Sequence, residues 1–178
     1  MADTIAVMNV GRVEQLGAPV DLYENPRTTF AANFLGQSNF FHGRVTGRGS
    51  EATVAVEGHS LRMLADRIHS AGDDVHVGVR PEKLYIGFGS DASMPGSFNR
   101  LTGVVTDASF IGVSTQYLVR VSWGQEVIVF EQNSNRDVRV ETGAEVTIGW
   151  DPAHAFALDA SQDVDAGAAI DDSAAVAQ

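Results

Sequence analysis

Apolar residues in this chain come in short runs, most of them alternating with polar ones, which predicts many strands and few helices. Thr4 to Met8 is the first such run, and Arg12-Val13-Glu14-Gln15-Leu16 alternates behind Asn9-Val10-Gly11, a pattern that predicts a hairpin closed by Gly17. Pro19 suits a helix start and Asn25-Pro26 a helix stop, so a short helix lies between them. A second helix is expected after a Thr28 or Thr29 cap, with Phe30 and Phe34 on one face and Gly36 at its end. Beyond Ser38 the period is that of strands: Phe40, Phe41 and Val45 lead in, and Ala52 to Val56, Val75 to Val79 and Leu84 to Phe88 follow. A small-residue stretch from Gly89 to Asn99 is expected to divide this region in two. In the second half Tyr117, Val119, Val121 and Trp123 share one strand face. Gly124-Gln125 then turns the chain into Glu126 to Glu131, and Val146 to Trp150 and Phe156 to Leu158 are the last strands. After Leu158 bulky apolar residues almost vanish, and residues 159–178 read as an acidic, Ala-rich, disordered tail.

Charge narrows the possible partners. The 178 residues carry 23 acidic and 12 basic side chains, a formal charge of −11, and Lys83 is the only lysine. Polyanions are repelled, so nucleic acid is disfavoured as a partner, and basic ligands such as polyamines meet a favourable field. With no cysteine in the chain, disulfides, thiolate metal sites and cysteine nucleophiles are excluded. No apolar run reaches the roughly 18 residues needed to span a bilayer, and the first residues do not resemble a secretory signal. The chain reads as soluble, with any membrane role exerted through a partner.

Catalytic and metal motifs are missing as well. His42, His59, His69, His76 and His154 are scattered without a metal-ligand spacing, and Ser109, Ser114 and Ser122 lack a nucleophile elbow. Asp73-Asp74 and the tail acids Asp163, Asp165, Asp171 and Asp172 lack calcium-loop spacing. No Gly-x-x-x-x-Gly-Lys-[Ser/Thr] loop is present to cradle a triphosphate.

From Ala2 through Pro19, on through Leu22-Tyr23-Glu24-Asn25-Pro26 and Phe30-Ala31-Ala32-Asn33-Phe34-Leu35-Gly36-Gln37-Ser38-Asn39, the chain resembles the end of the nucleotide-binding domain of ABC importers. Val79-Arg80-Pro81-Glu82-Lys83 resembles the Arg-Pro-Glu signature of the transport-associated OB (TOBE) domain. Gly103-Val104-Val105, Phe110-Ile111-Gly112, Tyr117 and Val146 to Pro152 fit the same pattern. The Gly-Gln-Ser-Asn-Phe junction looks most like the spermidine/putrescine branch, with ferric, sulfate and sugar branches close by.

The resemblance implies a mainly β fold, an OB-like TOBE barrel preceded by a short α/β remnant of the ATPase domain. Residues 1–36 would end the nucleotide-binding domain, residues 37–158 form the regulatory barrel, and residues 159–178 form the tail. Such a chain is not an enzyme alone and holds no cofactor or metal, whereas its full-length parent would use ATP and Mg²⁺. Implied partners are a second ATPase subunit and membrane permease subunits, at the cytoplasmic face of the membrane, with a small ligand as a further option. A stand-alone OB module binding an oxyanion such as molybdate or sulfate is the alternative. Arg80, Glu82, Phe110 and Gly112 are the candidate regulatory or inter-domain residues. For Arg80 and Glu82 a strand-end ion pair is the simpler expectation.

Overall fold

A computed structural model of the chain describes residues 3–88, 94–133 and 140–168. It is mainly β. A front hairpin, β1 (Ile5–Asn9) and β2 (Arg12–Gly17), precedes two short helices, α1 (Pro19–Glu24) and α2 (Thr29–Leu35). The strands that follow are β3 (Asn39–Gly47), β4 (Glu51–Val56), β5 (His59–Leu64), β6 (Ile68–His69), β7 (Asp74–Val79) and β8 (Tyr85–Phe88). A second series comprises β9 (Asn99–Ile111), β10 (Ser114–Val121), β11 (Glu126–Gln132), β12 (Glu145–Trp150) and β13 (Ala155–Asp159).

The turn of the front hairpin is strained. Val10 and Gly11 both have positive φ, 45° and 75°. That geometry suits two-residue hairpin turns with Asn or Gly in the first place, and a β-branched residue pays for it. Val10 is also almost fully exposed, so it gains nothing from packing. Val10→Asn is therefore expected to raise stability by about 1 kcal/mol, read as a higher denaturant midpoint at unchanged slope.

The β region forms two sheets, ordered β5-β4-β3-β7-β13-β6 and β11-β10-β9-β12-β8. Their inward faces share one core, in which Phe41 stacks on Trp150 with ring centres 6.0 Å apart. Each series gives its last strand to the other sheet: β8 pairs with β12, and β13 pairs with β7. The division therefore falls at the turn Pro81–Lys83, ahead of the expected Gly89–Asn99 loop, because β8 already belongs to the second sheet. Residues 89–93 of that loop lie outside the described residues, as do residues 169–178 of the tail.

A repeated pattern underlies the exchange. Asn39-Phe40-Phe41-His42-Gly43-Arg44-Val45 and Asn99-Arg100-Leu101-Thr102-Gly103-Val104-Val105 share an Asn-x-apolar-x-Gly-x-Val frame. Both asparagines are buried and both act as a backbone would. Asn39 donates to Ile128 O and accepts from Ile128 N, each at 2.8 Å, which ties β3 to β11 of the other sheet. Asn99 does the same with Arg62 of β5, again at 2.8 Å in both directions. Two sheet edges that water would otherwise solvate are thus satisfied by side chains.

Acidic residues beyond β13 do not behave as a free tail through residue 168. Asn33 Nδ2 donates to Val164 O at 2.7 Å and Ala166 O at 2.9 Å, and Thr29 N donates to Gln162 Oε1 at 2.8 Å. Disorder was the expectation for lack of apolar bulk, but here the anchorage is polar, through α2 side chains and a free helix-end amide.

Candidate functional site

The front segment and the β region meet around Arg80, which follows β7 and is buried to 2% exposure. Pro81 holds the next residue in a tight turn and leaves Arg80 extended, so its side chain runs back under the helices. Nη1 faces four oxygens: Ala32 O and Gly36 O at 2.7 Å, Ser38 Oγ at 2.9 Å and Gln37 O at 3.2 Å. Nη2 donates to Tyr23 O at 3.0 Å. The carbonyls of Ala32 and Gly36 belong to the end of α2, where the helix dipole is negative and carbonyls lack helical partners. A guanidinium there neutralises one charge and satisfies several acceptors together.

Gly36 is required by closeness: a Cβ there would lie 2.9 Å from Tyr23 Cε2 and 3.5 Å from Arg80 Nη1. The Tyr23 ring lies against the guanidinium, whose carbon is 4.3 Å from the ring centre. Burial lowers the Arg80 pKa, with Tyr23, Glu82 and Glu24 opposing that shift.

Glu82 accepts the Tyr23 phenol hydrogen bond, and no ion pair joins it to Arg80 among the described residues. The strand-end pair expected from sequence is thereby corrected. Two residues apart at a turn, the two side chains diverge, Arg80 inward to helix carbonyls and Glu82 outward to Tyr23. Lys83 completes the clamp with an ion pair to Glu24 at 2.9 Å, and Arg67 Nη1 donates to Glu24 O at 2.7 Å. His69 Nε2 lies 2.7 Å from Asn25 Oδ1.

Burial, together with the Glu82 hydrogen bond and charge, pushes the Tyr23 phenol up to about 12. A raised acid is bound more strongly when protonated, so its contribution is complete below the unfolded tyrosine value of about 10 and is lost above it. Stability is expected to fall as pH rises from about 10 towards 12, and Tyr23→Phe should flatten that decline. Urea midpoints measured across this range decide it; an equal decline in both proteins would count against the assignment.

Phe110 and Gly112 lie elsewhere, at the turn between β9 and β10. Gly112 has a φ of +63°, and its carbonyl accepts from Asn133 Nδ2 at 2.8 Å. Phe110, Ile111 and Val113 make this tip apolar and exposed. A groove of ≈ 780 Å³ runs from Val113 past Phe130, Phe98 and Tyr85 to Glu82. The four candidates thus form two separate places, a junction and a tip.

Sequence reading missed the rest of the junction: Tyr23, Ser38, Arg67 and the carbonyls of α2. Tyr23 and Ser38 had a local signal, standing in the Leu22-Tyr23-Glu24-Asn25-Pro26 motif and the Gly-Gln-Ser-Asn-Phe junction.

A family model described as TOBE domain matches residues 77–158. The spermidine/putrescine import ATP-binding protein PotA of Frankia alni is 39% identical over 170 residues, covering 89% of this chain and 36% of that protein. The protein of the same name from Rubrobacter xylanophilus is 35% identical over 162 residues, covering 89% of this chain and 41% of its own length. The chain therefore spans well under half the length of these relatives. Among solved structures, the cytoplasmic molybdate-binding protein ModG with molybdate bound superposes with a TM-score of 0.58. It is 17% identical and covers 67% of this chain and 94% of its own, so the likeness is one of fold.

Proposed function

We propose that this chain, whose residues 77–158 match the TOBE domain model, is the carboxy-terminal regulatory region of an ABC importer's ATP-binding subunit, serving spermidine, putrescine or a similar small cation. The observation that carries this reading is the Arg80 junction. One buried cation binds the carbonyls of both helices of the front segment, so a shift of that segment cannot leave the barrel unmoved. In the parent subunit the front segment would end the ATPase domain, and the barrel would read or restrain its movement.

The exposed outer face of the front hairpin supports the same reading. Met8, Val13 and Leu16 expose apolar side chains on a sheet of two strands, a surface that suits packing against a larger domain. ATP and Mg²⁺ would be bound by that domain, because this sequence has no phosphate loop of its own. Permease subunits and a second ATPase subunit are the partners this role requires, which would place the subunit at the cytoplasmic membrane face. Among the described residues no helix is long and apolar enough to cross a membrane. The apolar tip of Phe110, Ile111 and Val113 is the surface we assign to pairing with the second copy.

Exchange of segments tests the reading. The aligned part of the Frankia alni relative is replaced by this chain, and spermidine-dependent ATP turnover is measured with the permease subunits present. Retained turnover is expected. A chimera that folds and assembles but is insensitive to spermidine would contradict the proposal. The isolated chain is expected to show no ATP turnover.

A further inference from the structure

His42 on β3 and His76 on β7 are 34 positions apart in sequence, yet the register of the two strands sets them directly opposite each other. Their ring centres are 5.8 Å apart. Directly opposed residues in an antiparallel pair have Cβ atoms about 4.5–5.5 Å apart, so modest rotation brings two imidazole nitrogens to one point. Neither ring hydrogen-bonds to another described residue, unlike His69, whose Nε2 is taken by Asn25. The ring of His76 is held edge-on by Phe40 at 6.4 Å, which limits the freedom that chelation must remove.

We propose that His42 and His76 form a two-imidazole site for a first-row divalent metal ion, Cu²⁺ in preference to Ni²⁺ or Zn²⁺. Neutral imidazole suits these ions, and the order of affinity at nitrogen ligands peaks at copper. Neighbouring carboxylates are already engaged. Asp74, next along the face, takes Arg44 at 3.1 and 3.3 Å, and Asp159 accepts from Ser161 Oγ at 2.6 Å and Ser70 Oγ at 3.2 Å. No group of three His, Cys, Asp or Glu side chains converges among the described residues, so water would complete the shell and exchange would be easy. The chain's charge of −11 favours cations at its surface. Sequence spacing gives no sign of this pair, because strand register and not chain proximity brings the ligands together. The site is independent of the transport reading and adds to it.

Calorimetric titration of the 178-residue chain with CuCl₂ and NiCl₂ in a non-coordinating buffer tests the site. One Cu²⁺ per chain is expected, with weaker Ni²⁺ binding and a metal-dependent rise in Tm. His42→Gln and His76→Gln should each weaken Cu²⁺ at least about tenfold and abolish the Tm rise, whereas His59→Gln and His154→Gln should change neither. His42 is exposed, so its replacement leaves folding unthreatened. Unchanged Cu²⁺ affinity in His42→Gln, or no saturable binding by the unsubstituted chain, overturns the proposal.

Discussion

Replacing Arg80 with alanine is expected to lower the unfolding free energy by about 3–5 kcal/mol, more than any surface substitution in this chain. The substitution removes a buried cation that faces Ala32 O, Gly36 O, Gln37 O, Ser38 Oγ and Tyr23 O, and strands those acceptors away from water. Each buried acceptor left without a donor costs on the order of 1–3 kcal/mol, and residual solvation returns part of that. Arg80→Lys should recover only a fraction. A single ammonium keeps the charge but cannot reach the carbonyls of both helices from one planar fork. Denaturant unfolding followed at Trp150 and by far-UV circular dichroism measures the loss. If Arg80→Ala falls within about 0.5 kcal/mol of the unsubstituted chain, the junction is not what holds the segment.

Trp150→Ala is expected to cost about 3–5 kcal/mol by opening a cavity at the centre of the shared core. The indole is fully buried and stacked on Phe41, where strands of both sheets meet. Among the described residues its N–H has no hydrogen-bond partner. Trp150→Phe should therefore be far milder, since it loses volume but also removes an unpaired donor. Equal losses in the two variants would show that the indole N–H is satisfied after all.

Local pattern carried most of the strands to their places. Tyr117, Val119 and Val121 are buried in alternation as their period requires, and α2 is capped by Thr28, whose hydroxyl accepts from Ala31 N at 3.1 Å. What escaped is long-range. The strand β9 runs from Asn99 to Ile111, and its second half is exposed, so alternation there carries no hydrophobic signal. The exchange of β8 and β13 between sheets leaves no local mark, since each strand reads the same whichever sheet receives it. The Asn-x-apolar-x-Gly-x-Val repeat was there to be seen at Asn39 and Asn99. It would have indicated two similar halves and singled out both asparagines.

At the candidate site the Val79-Arg80-Pro81-Glu82-Lys83 motif singled out Arg80 and Glu82, both of which lie at the junction, but in a geometry other than the expected pair. Proximity along the chain favoured an Arg80–Glu82 pair. Helix carbonyls are stronger competitors for a guanidinium, but no sequence pattern announces which carbonyls will be left over.

Hydrogen exchange tests the coupling of the front segment to the barrel most directly. Amides of α2 and of β7 should exchange in the native chain through openings of similar free energy, and Arg80→Ala should speed α2 exchange well ahead of β7. If α2 exchanges far faster than β7 with Arg80 in place, the two parts open separately and the account of a single coupled body is wrong.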